Sequence, residues 1–256
     1  MIFESHAHYD DEAFDSDREE LLFSLAEHGI GTVVNIGASL AGSEATVKLA
    51  EKYPFVYGAV GVHPSEVAEL TEEGMALLRS LCGHEKVVAV GEMGLDYHYP
   101  EPDVSLQKKW FERQLDLARE VGLPVIIHSR EAAKDTLDMM RALHAEETGG
   151  VVHCFSYTKE MAREYLNMDY YFGIGGVITF KNAKKLKEAV QYIPMDRILL
   201  ETDSPYLSPE PHRGERNSSL NLPYVVSAIS EIKGIPCEEV TEQTERNARK
   251  LFGLEG

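Results

Sequence analysis

Six side chains of the kinds that bind metal ions occur along the chain, each beside a short apolar run. These are His6 and His8 after IFES, Glu92 after VVAVG, His128 after PVII, His153 after GVV and Asp203 after ILLET. Residues two apart in an extended chain point to the same side, so His6 and His8 can share one ion. Imidazole and carboxylate groups suit zinc, manganese, iron or cobalt. The set predicts a centre for divalent metal ions.

The number of candidate ligands indicates more than one ion. A single catalytic zinc takes three or four ligands, whereas a pair of ions about 3.5–4 Å apart, bridged by a carboxylate, uses all six. We expect Glu92 to be the bridge, and Asp203 to bind one ion and to hold or accept the proton of the attacking water. Taken singly, each acid is equally explained as a helix N-cap or a charge partner. Their joint placement beside apolar runs favours the metal centre.

The elements that must position these residues follow a regular alternation. Eight short segments rich in Val, Ile and aromatic residues are predicted strands: Ile2–Ser5, Thr32–Ile36, Val56–Val62, Val87–Gly91, Pro124–Ile127, Gly150–Val152, Tyr171–Ile174 and Arg197–Leu200. Amphipathic patterns predict helices at Asp15–His28, Leu106–Val121, Lys181–Tyr192, Leu222–Lys233 and Cys237–Phe252. Such alternation predicts parallel strands joined by helical crossovers.

Eight strand–helix units in 256 residues favour a closed barrel over an open doubly wound sheet. The predicted fold is therefore α/β, a (β/α)8 TIM-type barrel, with a single domain over residues 1–256. The carboxyl ends of barrel strands surround one mouth, where barrel enzymes keep their active sites. The six candidate ligands are expected to meet there.

Four more residues are predicted to serve the same mouth as substrate contacts. His63 ends a strand in GVHP, and Glu201 lies two residues before Asp203. Arg213 and Arg216 lie in the loop PHRGERN, where guanidinium groups beside a metal centre suit phosphate oxygens. The alternatives are a structural histidine at the Pro64 turn, a Glu201 that orients a ligand or forms an ion pair inside the barrel, and a solvated arginine loop.

The overall charge limits the partners. The chain has 25 Lys and Arg against 43 Asp and Glu, a formal net charge of −18, which argues against coating a nucleic acid or a membrane. A cluster of four lysines at Lys181, Lys184, Lys185 and Lys187 is either a solvated helix face or a contact for a polyanion. The acidic N-terminal stretch is unlike a secretory signal, no run is apolar enough to span a bilayer, and the three cysteines suggest no disulfide framework. We therefore expect a cytoplasmic protein without an obligate protein partner.

These residues occur in ordered motifs that resemble a known family. HAHYDDEAFDSDRE, GVHP, VGEMGLDYH, LPVIIHSRE, VVHCFS and ILLETDSPYLSPEPHRGERN are similar, in the same order, to the motifs of the TatD family of metal-dependent hydrolases. The resemblance covers essentially the whole chain. One departure is RGERNSS at Arg213–Ser219, where many relatives have RGxRNEP. The difference bears on substrate preference more than on the metal centre.

The resemblance implies a barrel phosphodiesterase acting on DNA, with its ligands at His6, His8, Glu92, His128, His153 and Asp203. It further implies two divalent ions, with zinc, magnesium and manganese left open, and trimming of single-stranded DNA from the 3′ end. Because fold and ligands do not fix the substrate, an amidohydrolase-type enzyme acting on a small ester, amide or lactone is the alternative. A metal-binding accessory protein with little turnover is a third interpretation, against which the intact ligand set counts.

Overall fold

Eight parallel strands form one sheet in which each strand pairs with its neighbours in chain order. The structure is a computed structural model and describes residues 1–254. The strands are β1 (Ile2–Ala7), β2 (Ile30–Ile36), β3 (Val56–Val60), β4 (Val87–Asp96), β5 (Val125–Arg130), β6 (Gly150–Val152), β7 (Tyr171–Ile174) and β8 (Ile198–Leu200). Parallel neighbours in sequential order need a crossover after every strand, and the predicted barrel of β/α units is confirmed.

The sheet closes on itself at the mouth rather than along a full ladder. Ala7 and Ser204 form an isolated parallel bridge between the end of β1 and the segment after β8. The amide of His8 donates to the carbonyl of Ser204 at 2.8 Å, and the amide of Asp203 donates to the carbonyl of His6 at 3.0 Å. Closure therefore depends on the same segments that carry three of the candidate ligands.

Nine α-helices surround the strands in the described part of the chain. They are α1 (Arg18–Ser24), α2 (Leu40–Lys52), α3 (Glu72–Cys82), α4 (Val104–Val121), α5 (Ala133–Ala142), α6 (Lys159–Leu166), α7 (Lys184–Tyr192), α8 (Leu222–Lys233) and α9 (Cys237–Leu251). Within residues 1–254, no helix combines the length and the apolar character that crossing a membrane requires.

Most predicted helix ends agree with the structure, and the differences have local causes. Helix α8 matches its predicted bounds, and α4 begins two residues early because the Asp103 side chain caps the Ser105 amide. The predicted helix Asp15–His28 is wrong at its start: the chain winds as a 3-10 turn to Phe14 before α1 begins at Arg18. Its end is also early, because α1 stops at Ser24 and a 3-10 turn at Ala26–His28 leads to Gly29, whose φ of 81° needs glycine. The predicted helix Lys181–Tyr192 begins only at Lys184.

The two ends of the barrel differ in chemistry. Buried apolar side chains fill the end where the strands begin, and α9 packs over them, with Phe252 stacked on Phe3 at 6.0 Å between ring centroids. The opposite end holds buried polar groups, among them Glu4, His6, Glu92 and Glu201. A closed apolar base leaves the mouth as the place where the barrel interior meets water.

Glu4 joins β1 to the segment after β8, where the ladder is missing. Its carboxyl group accepts hydrogen bonds from the Thr202 amide at 2.9 Å, the Thr202 hydroxyl at 2.7 Å and the Ser219 hydroxyl at 2.9 Å. Burial raises the pKa of Glu4 to about 8, so the group is mostly protonated and neutral at pH 7. Its neutral form limits the cost of placing an acid inside the barrel.

We expect Glu4→Ala to lower the free energy of unfolding by about 1–3 kcal/mol, because Thr202 and Ser219 lose a buried acceptor. Glu4→Gln should cost much less, since it keeps a neutral acceptor of the same length. Urea unfolding at pH 7 with a chelator present measures both. Equal stability of the two variants would show that these hydrogen bonds do not hold the closure.

Candidate metal centre

The structure places the six candidate ligands at one end of the barrel, although not all beyond the strand ends. His6, Glu92 and His128 lie inside β1, β4 and β5, while His8, His153 and Asp203 follow β1, β6 and β8. The predicted end of β4 at Gly91 is wrong, because pairing with β5 continues to Asp96. That pairing needs Gly94, where any side chain would collide with the backbone of His128.

Glu92 occupies the middle of the group. Its Oε1 lies 2.7 Å from both His128 Nδ1 and His153 Nε2. Its Oε2 lies 3.2 Å from His6 Nε2 and 3.7 Å from His8 Nε2. Each carboxylate oxygen therefore faces one pair of imidazoles, which is the geometry expected of a bridging ligand.

Asp203 completes the side of His6 and His8. Its Oδ1 lies 3.4 Å from His8 Nε2 and 3.7 Å from His6 Nε2, and these two ring nitrogens are 3.3 Å apart. Asp203 adopts a φ of 58°, a left-handed conformation in which its amide bonds to His6. This strained backbone conformation directs the carboxylate toward His8 and His6.

The donor set fits divalent cations. Imidazole nitrogens and carboxylate oxygens converge at 2.7–3.7 Å, and no lysine or arginine of residues 1–254 forms an ion pair with either carboxylate. Burial would raise the pKa of Glu92, but the charges of His153 and His6 and hydrogen bonds from His128 and His153 hold it well below its usual range. Two ionised acids among buried imidazoles make a cluster that cations stabilise.

Further groups orient the imidazole rings. His8 Nδ1 is 2.9 Å from the carbonyl of Ile36, so it carries the proton and leaves Nε2 free as a ligand. His128 Nε2 is 3.1 Å from Asp96 Oδ2, which leaves Nδ1 toward Glu92. Asp96 is not among the residues that the sequence predicts for the centre. Its alternation with Glu92 along one strand, with glycine between them, is the sequence signal for a second inward-facing acid.

His63 lies at the edge of the centre. Its Nε2 is 3.8 Å from Glu92 Oε1, and its ring packs edge-on against His128 with centroids 4.3 Å apart. Burial and the neighbouring His128 lower the pKa of His63 to about 3, so it is neutral at physiological pH. Its Nδ1 also meets the Ser65 hydroxyl at 2.7 Å, so the structural role and the substrate contact are compatible.

Glu201 lies behind His6 and His153, on the side opposite Glu92. The two imidazoles stack with centroids 3.9 Å apart, and Glu201 Oε1 is 3.7 Å from His153 Nδ1. The Nδ1 atoms of both rings are buried without a hydrogen-bond partner within residues 1–254. A carboxylate there favours protonated Nδ1 and directs Nε2 toward Glu92. Glu201 is 1% exposed, so this position favours ligand orientation over the predicted substrate contact.

The two arginines of the PHRGERN loop have different surroundings. Arg216 donates to both carboxylate oxygens of Asp17 and to the carbonyl of Ala13, which attaches this loop to the segment after β1. Its guanidinium is largely taken up by protein acceptors, so the predicted role in holding phosphate is not supported for Arg216. Arg213 is exposed, lies over the ring of Phe180 at 4.3 Å, and forms no salt bridge in the described chain. It keeps the predicted role.

Comparison with known proteins gives consistent results. A family model described as TatD related DNase matches residues 3–253. The chain is 43% identical to the uncharacterized metal-dependent hydrolase YabD of Bacillus subtilis, covering 99% of this chain and 100% of the relative. It is 34% identical to a protein of Cronobacter sakazakii named 3′-5′ ssDNA/RNA exonuclease TatD, covering 93% of each. The Escherichia coli TatD homologue YjjV superposes with a TM-score of 0.93 at 29% identity, covering 99% and 98% of the two chains.

We expect Glu201→Gln to weaken zinc binding about ten- to a hundredfold, because the amide lacks the negative charge that favours a protonated Nδ1 on His153. Gly173→Ala should do the same through a different cause, since an added Cβ would occupy the place of the Glu201 carboxylate. Competition with a chelator measures the affinity. Glu231→Gln, which makes the same chemical change at an exposed position of α8, is the matched control. Unchanged affinity in both Glu201→Gln and Gly173→Ala would remove Glu201 from the metal centre.

Proposed function

Because the chain belongs to the TatD family of metal-dependent hydrolases, we propose that it cleaves phosphodiester bonds of nucleic acid and removes nucleotides from the 3′ end of single-stranded DNA. The observation that carries this proposal is the position of Glu92 between two pairs of imidazoles. Further support comes from a relative named as an exonuclease and from the unpaired Arg213 at the rim. The amidohydrolase-type alternative has the same ligand types but no need for that arginine.

The donor set would hold two divalent ions, with zinc, magnesium or manganese as candidates. His6, His8 and Asp203 would hold one ion, His128 and His153 the other, and Glu92 would contact both. Bound ions of this kind polarise a phosphoryl oxygen and lower the pKa of a water molecule toward neutrality. The remaining chemistry is assigned to side chains of the chain itself.

Asp203 is the proposed proton acceptor. Its side chain is 17% exposed, whereas that of Glu92 is 4% exposed, so Asp203 is the acid that a water molecule at the mouth can reach. Burial raises its pKa, but the hydrogen bond from His8 and the nearby histidines lower it below the usual range. The group is therefore a carboxylate near neutral pH, ready to orient the attacking water and take its proton.

Substrate contacts are assigned to the rim. Arg213 would hold a phosphate next to the scissile one, where a charge-assisted hydrogen bond fixes the position of the strand. The neutral His63 ring would face the substrate from the side of β3, offering a hydrogen bond without adding charge. These two contacts orient the diester so that the scissile bond meets the centre.

Cleavage of single strands labelled at either end tests the reaction. Purified protein loaded with zinc, magnesium or manganese is incubated with a 5′-labelled or a 3′-labelled oligonucleotide. A 3′ exonuclease releases the 3′ label as mononucleotide and shortens the 5′-labelled strand stepwise. Turnover of small esters, amides or lactones, with no cleavage of either strand or of an activated phosphodiester, would establish the alternative.

We predict that Asp203→Asn reduces turnover at least about a hundredfold while it preserves the fold, because asparagine has the same size but accepts no proton. Rates are measured at saturating metal, with metal content and circular dichroism compared with the unmodified protein. A near-normal rate at full metal content would exclude Asp203 as the proton acceptor.

A further inference from the structure

The mouth of the barrel carries opposite charges on its two sides. Residues 175–187, which follow β7, include four lysines and no acid. Residues 9–20, which follow β1, include seven acids and one arginine. Both segments begin at the carboxyl ends of their strands, the end of the barrel that holds the candidate metal centre. In a chain with a net charge of −18, the lysine segment is a local exception.

The cations on the β7 side are free to bind a ligand. Lys181, Lys184 and Lys185 are exposed and, like Arg213, form no salt bridge within residues 1–254. On the acidic side, by contrast, Arg18 pairs with Asp15, and Arg216 pairs with Asp17. In the described part of the chain, the cations on the acidic side are therefore paired, and those after β7 are not. We call Lys181, Lys184, Lys185 and Arg213 the basic rim.

Close packing holds the two loops of the basic rim together. The backbone of Gly176 lies so close to Leu207 and Pro209 that a side chain at Gly176 would collide with them. The Glu210 amide donates to the Thr179 hydroxyl at 2.8 Å. Arg213 then lies over Phe180, the residue before Lys181. The arginine and the lysines are therefore presented on one fixed surface, although they are distant in sequence.

Tyr206 contacts both the acidic segment and the metal centre. Its side chain is 54% exposed, and its ring lies edge-on to His8 with centroids 6.5 Å apart. Its hydroxyl donates to Asp11 at 3.0 Å, and the next residue, Leu207, packs against Gly176 in the loop that leads to the lysines. An exposed aromatic ring at this position suits stacking with a nucleic-acid base.

We propose that single-stranded nucleic acid lies along the basic rim, with its terminal nucleotide at the metal centre beside Tyr206. The cations contact backbone phosphates on the uncleaved side of the scissile bond. The acidic segment at residues 9–20 repels phosphates on the other side, so the strand ends there. This proposal rests on the proposed function and adds to it a path for the strand and a reason for attack at an end.

Binding is tested with a triple variant and a matched control. Lys181→Ala, Lys184→Ala and Lys185→Ala are combined, and the control combines Lys48→Ala, Arg246→Ala and Lys250→Ala, which remove the same charge from exposed positions on α2 and α9. Both sets are made in the Asp203→Asn background so that the strand is not cut. Fluorescence anisotropy with a labelled single-stranded 12-mer measures Kd across salt concentrations.

The rim variant should raise Kd at low salt at least about tenfold and reduce the salt slope by about 2, since each lost phosphate contact removes roughly 0.7 from the slope. The control should change neither quantity appreciably. In the active background, kcat/KM of the parent enzyme should rise with oligonucleotide length beyond a dinucleotide, and this rise should be lost in the rim variant. Hydrolysis of bis(p-nitrophenyl) phosphate should stay within about twofold.

The outcomes separate the two proposals. If the parent enzyme cleaves oligonucleotides but the rim variant and the control behave alike, the basic rim is only a solvated surface and this inference is wrong. If the diester and the oligonucleotide lose rate equally, the substitutions act on the metal centre, and the inference is again wrong. If the parent enzyme cleaves neither substrate with any metal, the proposed function is wrong, and the Kd values alone decide whether a strand binds the basic rim. Tighter binding of anionic vesicles than of the 12-mer, lost in the rim variant, would overturn the assignment to nucleic acid.

Discussion

The carboxylate of Glu92 faces two pairs of imidazoles deep inside a barrel, and much of the structure serves this arrangement. A buried charge is costly unless other charges or hydrogen bonds compensate it. Here four histidines from three strands and their flanks surround the carboxylate, and Asp203 adds a second negative charge on one side. The cluster brings carboxylate oxygens and imidazole nitrogens together, and divalent cations bind such groups.

The barrel can hold so many polar groups at its mouth because the packing that stabilises the fold is at its base. Apolar side chains and α9 fill the base, so the mouth is free to hold groups that weaken packing. Polar groups below the centre are paired in ways that avoid further charge: Glu4 is kept neutral by burial, and Thr202 and Ser219 donate to it. The same hydrogen bonds close β1 onto the segment after β8. Asp203 takes part in both closure and ligand placement, because its amide donates to the carbonyl of His6 while its backbone is left-handed.

Features that depend on local pattern could be predicted from the sequence. Strand and helix alternation predicted the barrel, and the two-residue spacing of His6 and His8 predicted that they face the same side, as their ring nitrogens at 3.3 Å show. Features that depend on register could not be predicted. Asp96 reaches His128 only because β4 continues past Glu92, and its continuation depends on how Gly94 fits against β5. Glu92 and Asp96 are an even number of residues apart on one strand, and so are Glu4 and His6. This spacing indicates that Asp96 and Glu4 face the barrel interior, but only the closed barrel shows which groups they contact.

Contacts between segments that are distant in the sequence also could not be predicted. Nothing near Arg216 in the sequence indicates that Asp17, 199 residues away, takes up its guanidinium. That pair distinguishes two arginines that look equivalent in the loop: one braces the segment after β1, and the other remains available at the rim.

The distribution of charge reconciles an acidic protein with the proposed polyanionic substrate. At a distance, a net charge of −18 repels nucleic acid, so tight wrapping of a duplex is disfavoured. Within about one Debye length of the mouth, roughly 8–10 Å at ordinary salt, the nearest charges dominate instead. There the unpaired cations after β7 and β8 attract phosphates, and the acids after β1 oppose them. Under the proposed function, a field with this gradient would admit a strand from one side only, so a free end would reach the metal centre at the lowest electrostatic cost.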